Sequence, residues 1–267
     1  MCLHGFPEAA FIWDDLLMQL GPTTHGVAPN LRGFELSDSP LEVDRYHPKW
    51  LCQDVVLLIE SLGAPLDLLV AHDWGGALAW SVAAQRPDLL KHLLIINAPH
   101  PATFLRELRD NPNQQQASAY MNFLCRPDAQ QLLRQDDFAR LWRFFDDEQG
   151  CAGWLDEGLK QRYRAVWERG LEGGLNYYRA TALRPDAGDS GALRRLKLPD
   201  ALTRVRVPTT VLWGMRDRAL LPELIRGLED WVPDLRVRPQ PDAGHWIVHE
   251  QPHRLFELVQ EVLAVSP

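Results

Sequence analysis

An α/β fold on a parallel sheet, interrupted by a long helical excursion, is what the sequence predicts, and three observations predict it. Leu66–Ala71 and Leu93–Asn97 are short continuous apolar runs, the kind buried on both faces of a parallel sheet. Between them Gly75–Arg86 reads as a helix stopped by Pro87, which completes a strand–helix–strand unit. From about residue 100 to residue 202 strand-like runs vanish, and Gln, Arg and Asp interleave with aromatics at helical spacing.

Each further element follows from the same two periodicities. Leu51–Leu62 is an amphipathic helix with Val55, Leu58, Ile59 and Leu62 on one face and Gly63 just past its end. Within the excursion, Phe138, Leu141, Trp142 and Phe145 form one stripe and Tyr163, Val166 and Trp167 another; such stripes are read as helix core, not as a cofactor box. Asp146-Asp147-Glu148 reads as a solvated helix face, and Pro185–Leu198 as a connector returning to the sheet. Strand signals resume at Thr209–Trp213 and Leu235–Arg238, and a closing helix is expected over Leu255–Val265. The expected division is residues 1–99 and 203–267 as an α/β core and 100–202 as a helical cap.

Composition narrows the function classes. With 267 residues, 46% of them hydrophobic, the chain can bury enough surface to fold without a disulfide or metal. Its 28 basic against 36 acidic residues give a net charge of −8, which argues against nucleic acid or an anionic membrane as partner. Cys2, Cys52, Cys125 and Cys151 include no Cys-x-x-Cys pair, so reduced thiols are expected. The start lacks a basic-then-apolar signal, and the apolar runs are too short to cross a bilayer. The expected location is the cytoplasm.

The chemistry concentrates where strands end. In Val70-Ala71-His72-Asp73-Trp74-Gly75-Gly76 a carboxylate stands on the bend between strand and helix. Small residues on both sides permit a nucleophile-elbow geometry with Asp73 in the nucleophile's seat. There the helix dipole favours its ionised form, and the Trp74 amide points into the same space. Read alone, Asp73 is as consistent with a helix cap. Ahead lies His4-Gly5-Phe6-Pro7-Glu8, whose Phe6 amide offers a second donor for a developing oxyanion. Behind lie Trp213-Gly214-Met215-Arg216-Asp217 and Ala243-Gly244-His245-Trp246, each after a strand. Nucleophile, acid, histidine is the order found in α/β hydrolases. His4 and His72 are read as orienting loops. The spacing of His245, His249 and His253 hints at three metal ligands on one helix, but Pro252 would interrupt it; no metal and no cofactor is expected.

In sum the chain resembles an α/β-hydrolase-fold epoxide hydrolase, of the branch that holds the mammalian soluble enzyme and many bacterial relatives. HGFPE, NLRGFELSDSP, HDWGG, NAPHP, NYYR, LWGMRD and AGHW occur in family order through essentially the whole chain. The resemblance implies the α/β-hydrolase fold with an inserted lid, a covalent alkyl-ester intermediate on Asp73, and a vicinal diol product. It implies that His245, oriented by Asp217, activates water, with the Phe6 and Trp74 amides as oxyanion hole. It puts two epoxide-holding lid tyrosines on Tyr178, from Asn176-Tyr177-Tyr178-Arg179, and on Tyr120, with Tyr177 competing for the second role. Tyr177 and Trp246 are further expected to line the pocket, and a small apolar epoxide and water are the expected partners. A haloalkane dehalogenase using the same triad is the rival enzyme reading, although Phe6 stands where halide-stabilising Asn or Glu is usual. A catalytically silent ligand-binding protein is the rival outside enzymes.

Departures from the family are few. Family members carry two strands and most of a third before HGFP, whereas this chain begins three residues before it; edge strands are expected to be missing, with an upstream start preferred and self-association over the exposed edge, or poor folding, as the alternatives. Asn30 replaces the usual Asp, and Glu35 the usual Gly of the RGxG turn.

Overall fold

Apolar residues that alternate between two faces of short strands define the sheet. The computed structural model describes residues 1–22, 24–146, 152–185 and 191–265. Its sheet has five strands in the order β1 (Cys2–Leu3), β2 (Leu69–His72), β3 (Leu93–Ile96), β4 (Thr209–Gly214) and β5 (Leu235–Gln240). All neighbours are parallel. On β1, the Cys2 amide donates to Val27 O at 2.8 Å. The expected strand from Leu66 begins only at Leu69, with Leu66 reduced to a single bridge to Leu90.

Two layers of helix cover the sheet. Leu69, Ala71, Leu93, Ile95, Val211 and Trp213 pack toward α2 (Pro48–Leu62) and α3 (Asp73–Gln85). Val70, Leu94, Ile96 and Leu212 pack toward α1 (Asp14–Leu20) and the C-terminal helices α11 (Ile247–Glu250) and α12 (Pro252–Val265). The two helices α11 and α12 are separate because Pro252 starts a new one, as its fixed φ and missing N–H require. Both layers use strand positions two apart, the period of a pleated sheet.

Between β3 and β4 the described residues form helices without strands: α4 (Pro101–Asp110), α5 (Pro112–Ala117), α6 (Tyr120–Leu124), α7 (Ala129–Trp142), α8 (Glu157–Arg169), α9 (Glu172–Ala180) and α10 (Ala192–Arg195). The stripe from Phe138 to Phe145 is not one regular helix. Gln135 to Phe138 leave helical geometry, with Asp136, Asp137 and Phe138 at positive φ, and a 3₁₀ turn covers Arg143–Phe145. Phe138, Leu141 and Phe145 are nonetheless buried. Asp146 is exposed, while Asp147, Glu148 and Cys151 lie outside the described residues. The stretch read as a connector contains α10, and its residues 186–190 are also outside them.

Ile95 lies fully buried in the central strand. Ile95→Ala is expected to destabilise the fold by about 2–5 kcal/mol through lost contacts and a residual cavity, read as a lower urea midpoint at unchanged slope.

Candidate active site

Asp73, Asp217 and His245 each follow the carboxyl end of a strand. β2 runs into α3 with a single residue, Asp73, at the bend, at φ 49°. This left-handed conformation is strained for a residue with a side chain, and it turns the carboxylate out over the sheet. The Phe6 amide donates to Asp73 Oδ1 at 2.8 Å. Gly5 makes that approach possible, since a Cβ there would overlap Asp73 Oδ1. Trp74, second in α3, contributes an amide that the helix itself cannot satisfy.

The loops after β4 and β5 meet beside it. Gly214 lies against the carbonyls of Ala243 and Gly244 so closely that a side chain there would overlap them. That contact brings Asp217 Oδ2 within 2.7 Å of His245 Nδ1, which donates to it. His245 Nε2 then faces Asp73 Oδ2 at 3.7 Å, near but beyond hydrogen-bond range. Asp217 is fully engaged: Oδ1 accepts from the Ala219 and Leu220 amides, and Oδ2 also accepts from Asn97 Nδ2 at 2.7 Å. Burial alone would raise the Asp217 carboxyl, but the His245 charge and these donors hold it below the usual range. Burial would likewise lower His245, yet the Asp217 carboxylate, and secondarily Asp73, lift it to about 9.

The tyrosines divide by tertiary contact. Tyr178 is buried and its ring meets Phe6, Trp74 and Tyr120 with centroids at 5.4, 5.1 and 6.1 Å. Burial, followed by the neighbouring Asp73 charge, raises the Tyr120 phenol; burial, then Tyr120 and Asp73, raises Tyr178. Both stay protonated donors. The Tyr177 hydroxyl is engaged elsewhere, donating to Arg32 O at 3.0 Å. Two cavities, about 580 and 120 Å³, both border Asp73, Tyr120 and Tyr178. The larger also touches His245, Trp246 and Phe144; the smaller is lined by Leu78, Phe104, Met121, Leu220 and Tyr177.

Several partners were invisible in the sequence. Asn97, buried at φ 37° directly after β3, accepts from the Gly214 amide while donating to Asp217. Glu8 is fully buried and accepts from His72 Nδ1, His249 and the Tyr163 hydroxyl. Burial opposes its ionisation, but the two histidines keep it well below the usual carboxylate range. His72 Nε2 donates to the His245 carbonyl, and Glu250 accepts from the Gly244 and Trp246 amides, so the peptide around His245 is held on both sides. His4, which burial lowers to about 4, accepts from Leu31 N through Nε2. The two loop departures complement each other: Asn30 Nδ2 donates to Glu35 Oε2 at 2.7 Å, and Glu35 adopts φ 48°. Among the described residues no three His, Cys, Asp or Glu side chains are arranged to hold a metal ion, and no helix is long and apolar enough to cross a membrane.

Comparisons with known proteins give the chain's family and fold. The α/β hydrolase fold family matches residues 1–252. An AB hydrolase superfamily protein of Bacillus subtilis, YfhM, is 32% identical over 98% of this chain and 88% of its own. Epoxide hydrolase 3 of Xenopus tropicalis is 31% identical over 98% of this chain and 70% of its own. The crystal structure of Bacillus megaterium epoxide hydrolase in complex with an inhibitor superposes at a TM-score of 0.90 and 33% identity, covering 98% of this chain and 92% of that one.

The pH behaviour of His245 follows from its surroundings. Its folded pKa, about 9 against an ordinary 6.5, means the ion pair with Asp217 stabilises the fold fully below pH 6.5 and loses this effect as pH rises through about 9. Ring NMR of His245 should titrate near 9, and Asp217→Asn should move that titration downward and flatten the matching decline in melting temperature. A titration unaffected by the substitution would contradict the assignment.

Proposed function

Because the chain belongs to the α/β hydrolase family, in its epoxide hydrolase branch, we propose that it opens an epoxide to a vicinal diol through an alkyl ester formed on Asp73. One observation carries this reading. A carboxylate with one oxygen on a backbone amide lines the same two cavities as two protonated phenols, with an imidazole at 3.7 Å.

In the first step Asp73 Oδ2 attacks an epoxide carbon, and the C–O bond breaks toward the oxygen held by Tyr120 and Tyr178. An alkoxide is a poor leaving group at neutral pH, so a phenolic proton passes to it as the ring opens. In the second step His245 takes a proton from water, and the hydroxide attacks the Asp73 carbonyl carbon. The oxyanion forms on Oδ1, opposite the Phe6 and Trp74 amides; its collapse breaks the Oδ2–carbonyl carbon bond, the departing diol oxygen takes the proton from His245, and the proton that Asp73 releases on ionising returns the phenolate to phenol. Esterification removes the Asp73 charge that helps to hold up the His245 pKa, so the imidazole becomes a better base when a base is needed. The excursion from α4 to α10 serves as the lid that supplies both phenols. The substrate is an apolar epoxide whose substituents divide between the two cavities.

The two phenols at the nucleophile favour ring opening over halide release, which needs no proton donor. Asp73→Ala should abolish turnover, whereas His245→Gln should stop it at the ester, seen as a substrate-mass adduct on the intact protein. No adduct would contradict the two-step route. Tyr178→Phe should slow ring opening about 10–1000-fold; an unchanged single-turnover rate of epoxide loss would reassign the acid.

A further inference from the structure

Residues 6–8 form three consecutive connections. The Phe6 amide donates to Asp73 Oδ1 at 2.8 Å. The Pro7 carbonyl accepts from Trp167 Nε1 at 2.7 Å, and Glu8 Oε1 accepts from the Tyr163 hydroxyl at 2.7 Å. Trp167 and Tyr163 are both fully buried on α8, four residues apart and so on one helix face. They reach the loop across 160 and 155 residues of sequence.

We propose that α8 sets the oxyanion donor: Trp167 and Tyr163 are positioning residues that hold the Phe6 amide on Asp73 and thereby act on ester hydrolysis rather than on ring opening. This rests on the two-step reading given above. The selectivity follows from where charge moves. During ring opening, negative charge leaves the Asp73 carboxylate, so a donor on Oδ1 stabilises the starting state and gives the transition state no advantage. During hydrolysis a neutral ester oxygen becomes an oxyanion at the same position, and the same N–H gains strength as the barrier is climbed. A hydrogen bond of this kind weakens steeply with angle and distance. A loop that loses its anchor on α8 therefore loses the second step first.

The test uses the full chain with styrene oxide as the probe. Tyr163→Phe keeps the ring and Trp167→Phe leaves a smaller aromatic ring in place of the indole; each deletes one hydrogen bond to the loop. Complete removal of an oxyanion donor costs about 10²–10³ in kcat, and a displaced one should cost about tenfold. Rapid quench with intact-protein mass should show the ester accumulating, while single-turnover epoxide loss stays within about twofold of the unsubstituted enzyme. In the steady state kcat and KM should fall together and kcat/KM should stay constant, since that ratio reports only steps through the first irreversible one. Phe138→Leu loosens the same aromatic cluster, where Phe138 lies 5.4 Å from Trp167, without deleting a bond to residues 7 or 8; it should leave the ratio of the two steps unchanged. Equal slowing of both steps, no slowing, or the same shift in Phe138→Leu would overturn the proposal. If Trp167→Phe does not fold, Tyr163→Phe decides, because Glu8 there retains His72 and His249. An ester trapped in His245→Gln, with an unchanged step ratio in the α8 variants, would overturn this proposal alone; no ester in His245→Gln would overturn the reading beneath it.

Discussion

At Asp73 the chain turns from a buried strand into a helix within one residue, held at a φ of 49°. A side-chain-bearing residue in that conformation costs on the order of 1–3 kcal/mol, and the surroundings are built to hold it there. β2 and β3 fix the entry, α3 fixes the exit, and the Phe6 amide holds the oxygen that emerges between them. The missing side chain at Gly5 is what allows the amide so near. Relaxing the bend would withdraw the carboxylate from the amide, both phenols and the imidazole together.

Charge is arranged around that bend in two tiers. Nearest the cavity, Asp217 polarises His245 and is itself saturated by Asn97, two backbone amides and the imidazole. With every lone-pair direction engaged it is suited to remain ionised and to orient the ring. Further in, the Glu8 carboxylate joins His72, His249 and Tyr163, and so ties the elbow strand, the C-terminal segment and the helical excursion to one buried group. Removing any one partner would leave a charge short of donors in a setting where that is expensive.

How much of this was legible depends on how local each signal is. The strand–helix–strand unit and the bends at Asp73, Asp217 and His245 were readable because apolar runs end at polar residues flanked by glycine. The loop after β1 was readable for the same reason. Asn97 also follows a strand, but nothing in Ile95-Ile96-Asn97-Ala98 shows that its amide spans Gly214 and Asp217. Glu8, Tyr163 and His249 were hidden more deeply, since their contacts join residues 155 and 241 positions apart. The kink at residues 135–138 escaped because the apolar spacing continues through it. Adjacent tyrosines on α9 point to different sides of the helix, so only the fold could tell that Tyr177 reaches Arg32 while Tyr178 meets Tyr120.

The central claim is that oxygen reaches the product from Asp73 and not directly from water. A single turnover in ¹⁸O-enriched water, with enzyme in excess over epoxide, tests it most directly. The account predicts unlabelled diol and one ¹⁸O in the peptide that contains Asp73. Label in the diol on that first turnover, with an unlabelled peptide, would contradict it.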